Sequence, residues 1–302
     1  MKLLLTLMAI GLLPLGTLSA AETLLYPHPR DARAGDPEAY VTELLHLAID
    51  HAPIRYQLRP SRETMNQSRA QLTLEHNEPQ LQVMWAMTTR EREERLQPIR
   101  IPIYKGLIGW RVSLLRQDQA ELLSQVKNLD DLKTIRFGQR HDWPDTPLLR
   151  ANDLQVITSP SYEGLFAMLA AGRFDAFPRE VVTAWQEQAN AARDGEALVV
   201  DEHVVLHYPS AFYFFTSRQR PELAEQIRLG LEAAIADGSF DALFQRYHGA
   251  TLRNAHLAQR RVIELRNPDL PDATPFARQE LWYQPLPGSD SNPAKQTSPT
   301  QP

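Results

Sequence analysis

From Thr23 onward the chain alternates short apolar runs with amphipathic ones, and it does so twice. Thr23–Tyr26, Ile54–Leu58 and Gln80–Met87 read as strands. Between the first two lies a helix opened by Asp36-Pro37, with Val41, Leu44, Leu45 and Ala48 at i, i+3, i+4 and i+7. A polar helix over about 62–75 separates the second from the third. The order βαβαβ implies an α/β layered fold with a parallel sheet, because parallel strands need helical crossovers. A second unit follows, with strands at Thr134–Gly138, Leu154–Thr158 and Phe174–Phe177. Ser159-Pro160 supplies an N-cap and first helical residue, and Gly172 lies just past that helix. Pro178 opens another helix, to about Arg193.

The last third predicts a return. Ala197–Val200 and Val204–Leu206 are short strands, and Ala211–Thr216 is a strongly apolar one. Pro221 opens a helix with Leu223, Ile227, Gly230, Leu231 and Ala234 on one face; Asp237-Gly238 stops it, and Phe240–Tyr247 forms a short final helix. With 302 residues, a prior of about 150 per domain allows two lobes. The expected division is 22–113 plus 211–250 for lobe 1 and 114–210 for lobe 2. Residues 251–286 form an extension with one helix and the punctuated stretch Asn267-Pro268-Asp269-Leu270-Pro271, and its Leu281-Trp282-Tyr283 should dock on the lobes. Residues 287–302, rich in Pro, Ser, Gln, Thr and Asn, predict a disordered tail.

Residues 1–21 read as an export signal. Lys2 precedes an apolar run to Leu15, and Ser19 and Ala21 occupy the small-x-small positions of a cut before Glu22. The run is too short to span about 30 Å of hydrocarbon, and no Cys follows the cut to carry a lipid. The expected product is therefore free in a bacterial periplasm. Its 32 Lys+Arg against 37 Asp+Glu, a net charge of −5, supply no global basic field for nucleic acid. Zero cysteines exclude disulfides, thiolate chemistry and Cys-ligated metals.

No G-x-S-x-G, H-E-x-x-H, P-loop or G-x-G-x-x-G is present. His203 and His207 flank the strand-like Val204-Val205-Leu206, a poor spacing for a metal pair, so no metal or cofactor is expected. Two turns carry charge after strands. Thr88-Thr89-Arg90-Glu91 looks like a capping box with Thr88 as N-cap, which places Arg90 and Arg92 in a first turn that attracts anions. Either arginine suits a carboxylate clamp, whereas Arg95 reads as solvated. In Asp175-Ala176-Phe177-Pro178-Arg179-Glu180 the strand ends at Phe177, and Arg179 and Glu180 begin the next helix.

The order of these motifs resembles family 3 extracellular solute-binding proteins, the amino-acid-binding components of ABC transporters. Thr89-x-x-Arg92 followed by Pro102-Ile103-Tyr104 is similar to their T-x-x-R … P-Y signature. Leu129-Asp130-Asp131-Leu132, Leu169-Ala170-Ala171-Gly172-Arg173-Phe174-Asp175-Ala176 and the run Leu223–Tyr247 resemble later family segments. The resemblance covers about 23–249. It implies a two-lobed type II clamshell with two hinge crossovers, monomeric, closing on a small anionic or zwitterionic solute. Arg92 would hold the ligand carboxylate, with Thr89 beside it and Arg90 as the alternative, and Glu180 or Arg179 would meet the ligand from the other lobe. Tyr104 is the tyrosine of that signature; Tyr26 and Trp85 are further ligand candidates where the chain departs from the family, which usually has an aromatic after the first-strand proline and small polar residues before T-x-x-R. The implied partner is a transporter permease or a sensor. Two other functions fit the same fold: a cyclohexadienyl-dehydratase-like enzyme with Glu180 as acid/base, and a ligand-less interaction protein using its C-terminal extension.

Overall fold

The computed structural model describes residues 21–28 and 38–284. The expected export signal, the Asp36-Pro37 helix start and the expected tail fall on residues outside these.

The first half is built as the alternation requires. β1 (Glu22–Tyr26) and β2 (Tyr56–Pro60) pair in parallel, with Leu24 opposite Leu58. Between them runs α1 (Ala39–His51), which buries Val41, Leu44, Leu45 and Ala48. α2 (Gln67–Glu75) is capped by Asn66, whose side chain accepts from the Arg69 N–H. β3 (Val83–Met87) is buried along its whole length and leads into α3 (Arg90–Arg95) and β4 (Leu96–Ile99). A crossover over 100–109 then reaches β5 (Trp110–Arg116).

The second half forms its own sheets. β6 (Arg136–Arg140) and β7 (Gln155–Ser159) are parallel and are joined by α4 (Asp145–Ala151). α5 (Tyr162–Ala170) precedes β8 (Phe177–Glu180). α6 (Ala184–Arg193) precedes β9 (Leu198–Val200) and β10 (Val204–His207). β5 lies centrally, antiparallel to β8, β9 and β10. After Tyr208–Ala211 the chain returns as β11 (Phe212–Ser217), which inserts antiparallel between β3 and β4; Phe214 faces both Trp85 and Ile99 in the register. The two crossovers touch where the Tyr208 N–H donates to the Gly109 carbonyl at 3.1 Å. A Cβ on Gly109 would sit 2.1 Å from the Tyr208 oxygen, so only glycine permits this approach.

α7 (Pro221–Ala236) starts with Pro at its first turn and buries Leu223, Ile227, Gly230, Leu231 and Ala234, the face its spacing predicts. α8 (Ser239–Asn254) extends seven residues beyond the expected end at Tyr247, running through the buried Gly249 before the chain turns at Ala255. Among the described residues no further α-helix follows it, only the 3-10 turns Leu257–Gln259 and Gln279–Leu281. Instead β12 (Arg261–Glu264) adds in parallel to β10, and residues 265–284 run back over the first half. Asn267 donates to the Pro209 carbonyl, Arg90 pairs with Asp272, Arg278 pairs with Glu232 of α7, and Trp282 lies over Gly106. The Tyr283 N–H donates to the Lys105 carbonyl at 2.9 Å. This segment therefore touches α3, α7 and both crossovers.

Three local readings are corrected. The cap of α3 is Thr89, which accepts from the Arg92 N–H at 3.0 Å, while Thr88 donates to Glu93 instead. The cap of α5 is Ser161, not Ser159. Arg179 and Glu180 lie on a strand rather than in a first helical turn, and helix α6 begins only at Ala184. Pro178 was the misleading signal: it marks an edge strand here, where a missing N–H is tolerated.

Candidate functional site

A cavity of about 800 Å³ opens between the two halves. The β1 and α2 ends, Trp85, Tyr104 and Phe212 line it on one side, and Trp143, Tyr162, Phe166, Arg179, Glu180 and the end of α6 on the other. Trp85 projects from β3 with its ring edge-on to Phe214, 6.3 Å between centroids. Tyr104 follows Pro102 on the first crossover and packs on Phe212 at 5.4 Å.

Under the opposite wall runs a chain of buried charges. Arg111 of β5 pairs with Asp145 at the start of α4 (2.8 Å) and with Glu180 of β8 (2.7 Å). Glu180 also pairs with Arg179 at 2.9 Å. Arg179 in turn grips Glu187 of α6 through Nε and Nη2 at 2.6 and 2.7 Å. The Tyr162 hydroxyl donates to Glu187, and the Tyr208 hydroxyl of the second crossover donates to Asp145. The Arg179 guanidinium lies 4.7 Å from the Trp143 ring centre and 4.8 Å from that of Phe177, an aromatic cradle for a cation. Burial pushes the Glu180 carboxyl up, but the Arg111 and Arg179 guanidinium groups outweigh it and hold it down at about 2. Arg179 stays cationic because its carboxylate neighbours override the burial that opposes its charge.

The expected site residues divide into two sets. Trp85, Tyr104, Arg179 and Glu180 line the cavity. Tyr26, Thr89, Arg90 and Arg92 are not among its lining residues. Tyr26 stands behind Trp85, 6.2 Å between centroids, and Pro27 and His28 reach the cavity in its place. Thr89 spends its hydroxyl on the cap. Arg90 turns outward to Asp272 at 2.8 Å, while its N–H donates to the Asp269 carbonyl at 3.1 Å. The extension thus covers the first turn expected to attract an anion. Arg92 is 6% exposed, and its guanidinium donates to the Met87 carbonyl, to Gln71 at 3.1 Å and to Gln67 at 3.0 Å. Burial, only partly offset by the carboxylates of Glu91, Asp269 and Asp142, pushes it down to about 10. It ties α3 to α2 and β3, whereas the resemblance implies an arginine that holds the ligand carboxylate. Arg95 pairs outside with Glu75 and Glu91, as a solvated residue should.

Arg111, Asp145, Trp143, Tyr162 and Glu187 were missed. Arg111 left one trace, a lone charge in the apolar run Leu107–Leu115. The others carry no local signal, because their partners are brought in by tertiary structure. His203 and His207 pair with Glu121 and Glu264, and among the described residues no group of three His, Asp or Glu side chains is placed to hold a metal.

No protein-family model and no curated protein matches the chain. Solved structures do. An arginine-specific periplasmic binding protein of Salmonella typhimurium superposes with a TM-score of 0.57 at 13% identity, covering 76% of this chain and 100% of that one. A binding protein for glutathione import in Streptococcus mutans gives 0.57 at 14%, covering 76% and 96%. An ancestral amino-acid-binding protein, a precursor of cyclohexadienyl dehydratase, gives 0.55 at 15%, covering 75% and 95%. The fold is therefore the α/β type II clamshell of two-lobed periplasmic binding proteins.

Proposed function

We propose that this chain is an exported solute-binding protein that encloses a small organic solute between its lobes, for a transporter permease or a sensor. The observation that carries this reading is the cavity of about 800 Å³, walled from both halves of a clamshell fold. Such a volume suits a small-molecule ligand, and hinge closure around it is the motion this architecture supports. Similar structures bind arginine or glutamine by their descriptions, and export fits the N-terminal segment.

A thermal-shift screen of amines, amino acids, organic acids and dipeptides tests it. A bound solute at 100 times its Kd should add about 2.7 kcal/mol of stability. Ligand-free chain that gains nothing from any class, while retaining its fold, would instead favour the interaction-protein reading. The dehydratase-like alternative has less behind it. A general acid must hold a proton near neutral pH, and Glu180, held at about 2, does not.

A further inference from the structure

We infer that the solute is an organic cation, an amine or guanidinium compound without a carboxylate, held between the aromatic walls and the acidic end of α6. This deepens the solute-binding reading and rests on it.

Charge at the cavity is one-sided. Among the described residues six carboxylates line it, Glu38, Glu163, Glu180, Glu187, Asp194 and Glu196, against one permanent cation, Arg179. That cation is already engaged by Glu187 and Glu180. Glu163 and Glu196 pair with no cation among the described residues. The C-terminal end of α6 brings Asn190, Ala191 and Asp194 to the cavity, and a helix C-terminus carries the negative end of the backbone dipole. Burial, together with the nearby Asp194, pushes the Glu196 carboxyl above its ordinary range.

Among the described residues no carboxylate clamp stands opposite. Arg90 and Arg92, the two arginines of the first lobe's turn, are committed to Asp272 and to Met87, Gln67 and Gln71. A ligand carboxylate would therefore face like charge in a confined space. The aromatic lining includes Trp85, Tyr104, Trp143 and Tyr162, and aromatic rings favour a cation over an anion. One donor is left over: Nη1 of Arg179, in a side chain only 4% exposed, has no hydrogen-bond partner among the described residues.

Isothermal titration of the mature chain with matched compounds tests this. Agmatine is compared with arginine, and tryptamine with tryptophan and indole-3-acetate. The amines should bind at least tenfold more tightly than their parent amino acids, and indole-3-acetate should not bind. Glu163→Gln combined with Glu196→Gln should weaken the amines at least fivefold without lowering the melting temperature. If an amino acid binds as tightly as its amine, or the double variant binds amines unchanged, the ligand class is wrong and the solute-binding reading stands. If none of the five compounds binds the folded protein, the organic-cation reading falls, and the wider thermal-shift screen decides the solute-binding reading.

Discussion

Arg92 and His248 show how burial decides what a side chain can do. Arg92 joins three elements through its guanidinium, so Arg92→Ala should lower the unfolding free energy by roughly 1–3 kcal/mol, the range for orphaned buried groups. Urea denaturation checks this; an unchanged midpoint would return Arg92 to the list of ligand contacts. His248, 6% exposed, is packed edge-on against Tyr40 at 4.4 Å, and its Nε2 has no partner among the described residues. Burial pushes its pKa down to about 4 from an ordinary 6.5. Because the folded value is the lower one, the unfolded chain takes up the proton first, and stability falls as pH drops through 6.5 towards 4. Between pH 7 and pH 5 the loss from this residue should be about 2 kcal/mol, and His248→Phe should flatten that part of the profile. Neither environment was legible in the sequence. An arginine among charged neighbours at 90–95 reads as solvated or functional, and only the approach of Gln67 and Gln71 from another helix makes it structural.

At the scale of elements, spacing was the readable part. The buried faces of α1 and α7 follow from their 3.6-residue periodicity. Their contact explains a residue that propensity disfavours. A Cβ on Gly230 would lie 1.8 Å from the Ala48 carbonyl oxygen, so α7 approaches the α1 backbone more closely than alanine allows. Gly230→Ala, which should help an isolated helix by up to about 1 kcal/mol, should here destabilise by about 1–3 kcal/mol through overpacking. Equilibrium denaturation gives the sign directly. Boundaries were less readable than periods. Pro178 favours a helix start locally, but pairing with Ser113 across β5 extends the strand through Glu180. β12 was missed because Arg261–Glu264 is too short to show a period, and its pairing partner β10 lies more than fifty residues away.

At the scale of the molecule, the alternation of strands and helices was enough to give the α/β class, whereas the path of residues 265–284 was not. That path has a measurable consequence. Arg278→Ala breaks a bidentate pair with Glu232 at 2.7 and 2.9 Å, and Trp282→Ala uncovers Gly106. Both changes should increase amide exchange at 104–109 and 208–211 while leaving the cores of α1 and α5 protected; protection unchanged at both crossovers would show that the segment does not restrain them. Lobe separation then carries an energetic bias fixed on the outer surface. The observed dissociation constant is the intrinsic one divided by the fraction of molecules in the competent conformation. Each 1.4 kcal/mol by which this belt favours or opposes that conformation is a factor of about ten in affinity. Sequence drift along residues 265–284 can thus retune how tightly a solute is held, without altering any atom that touches it.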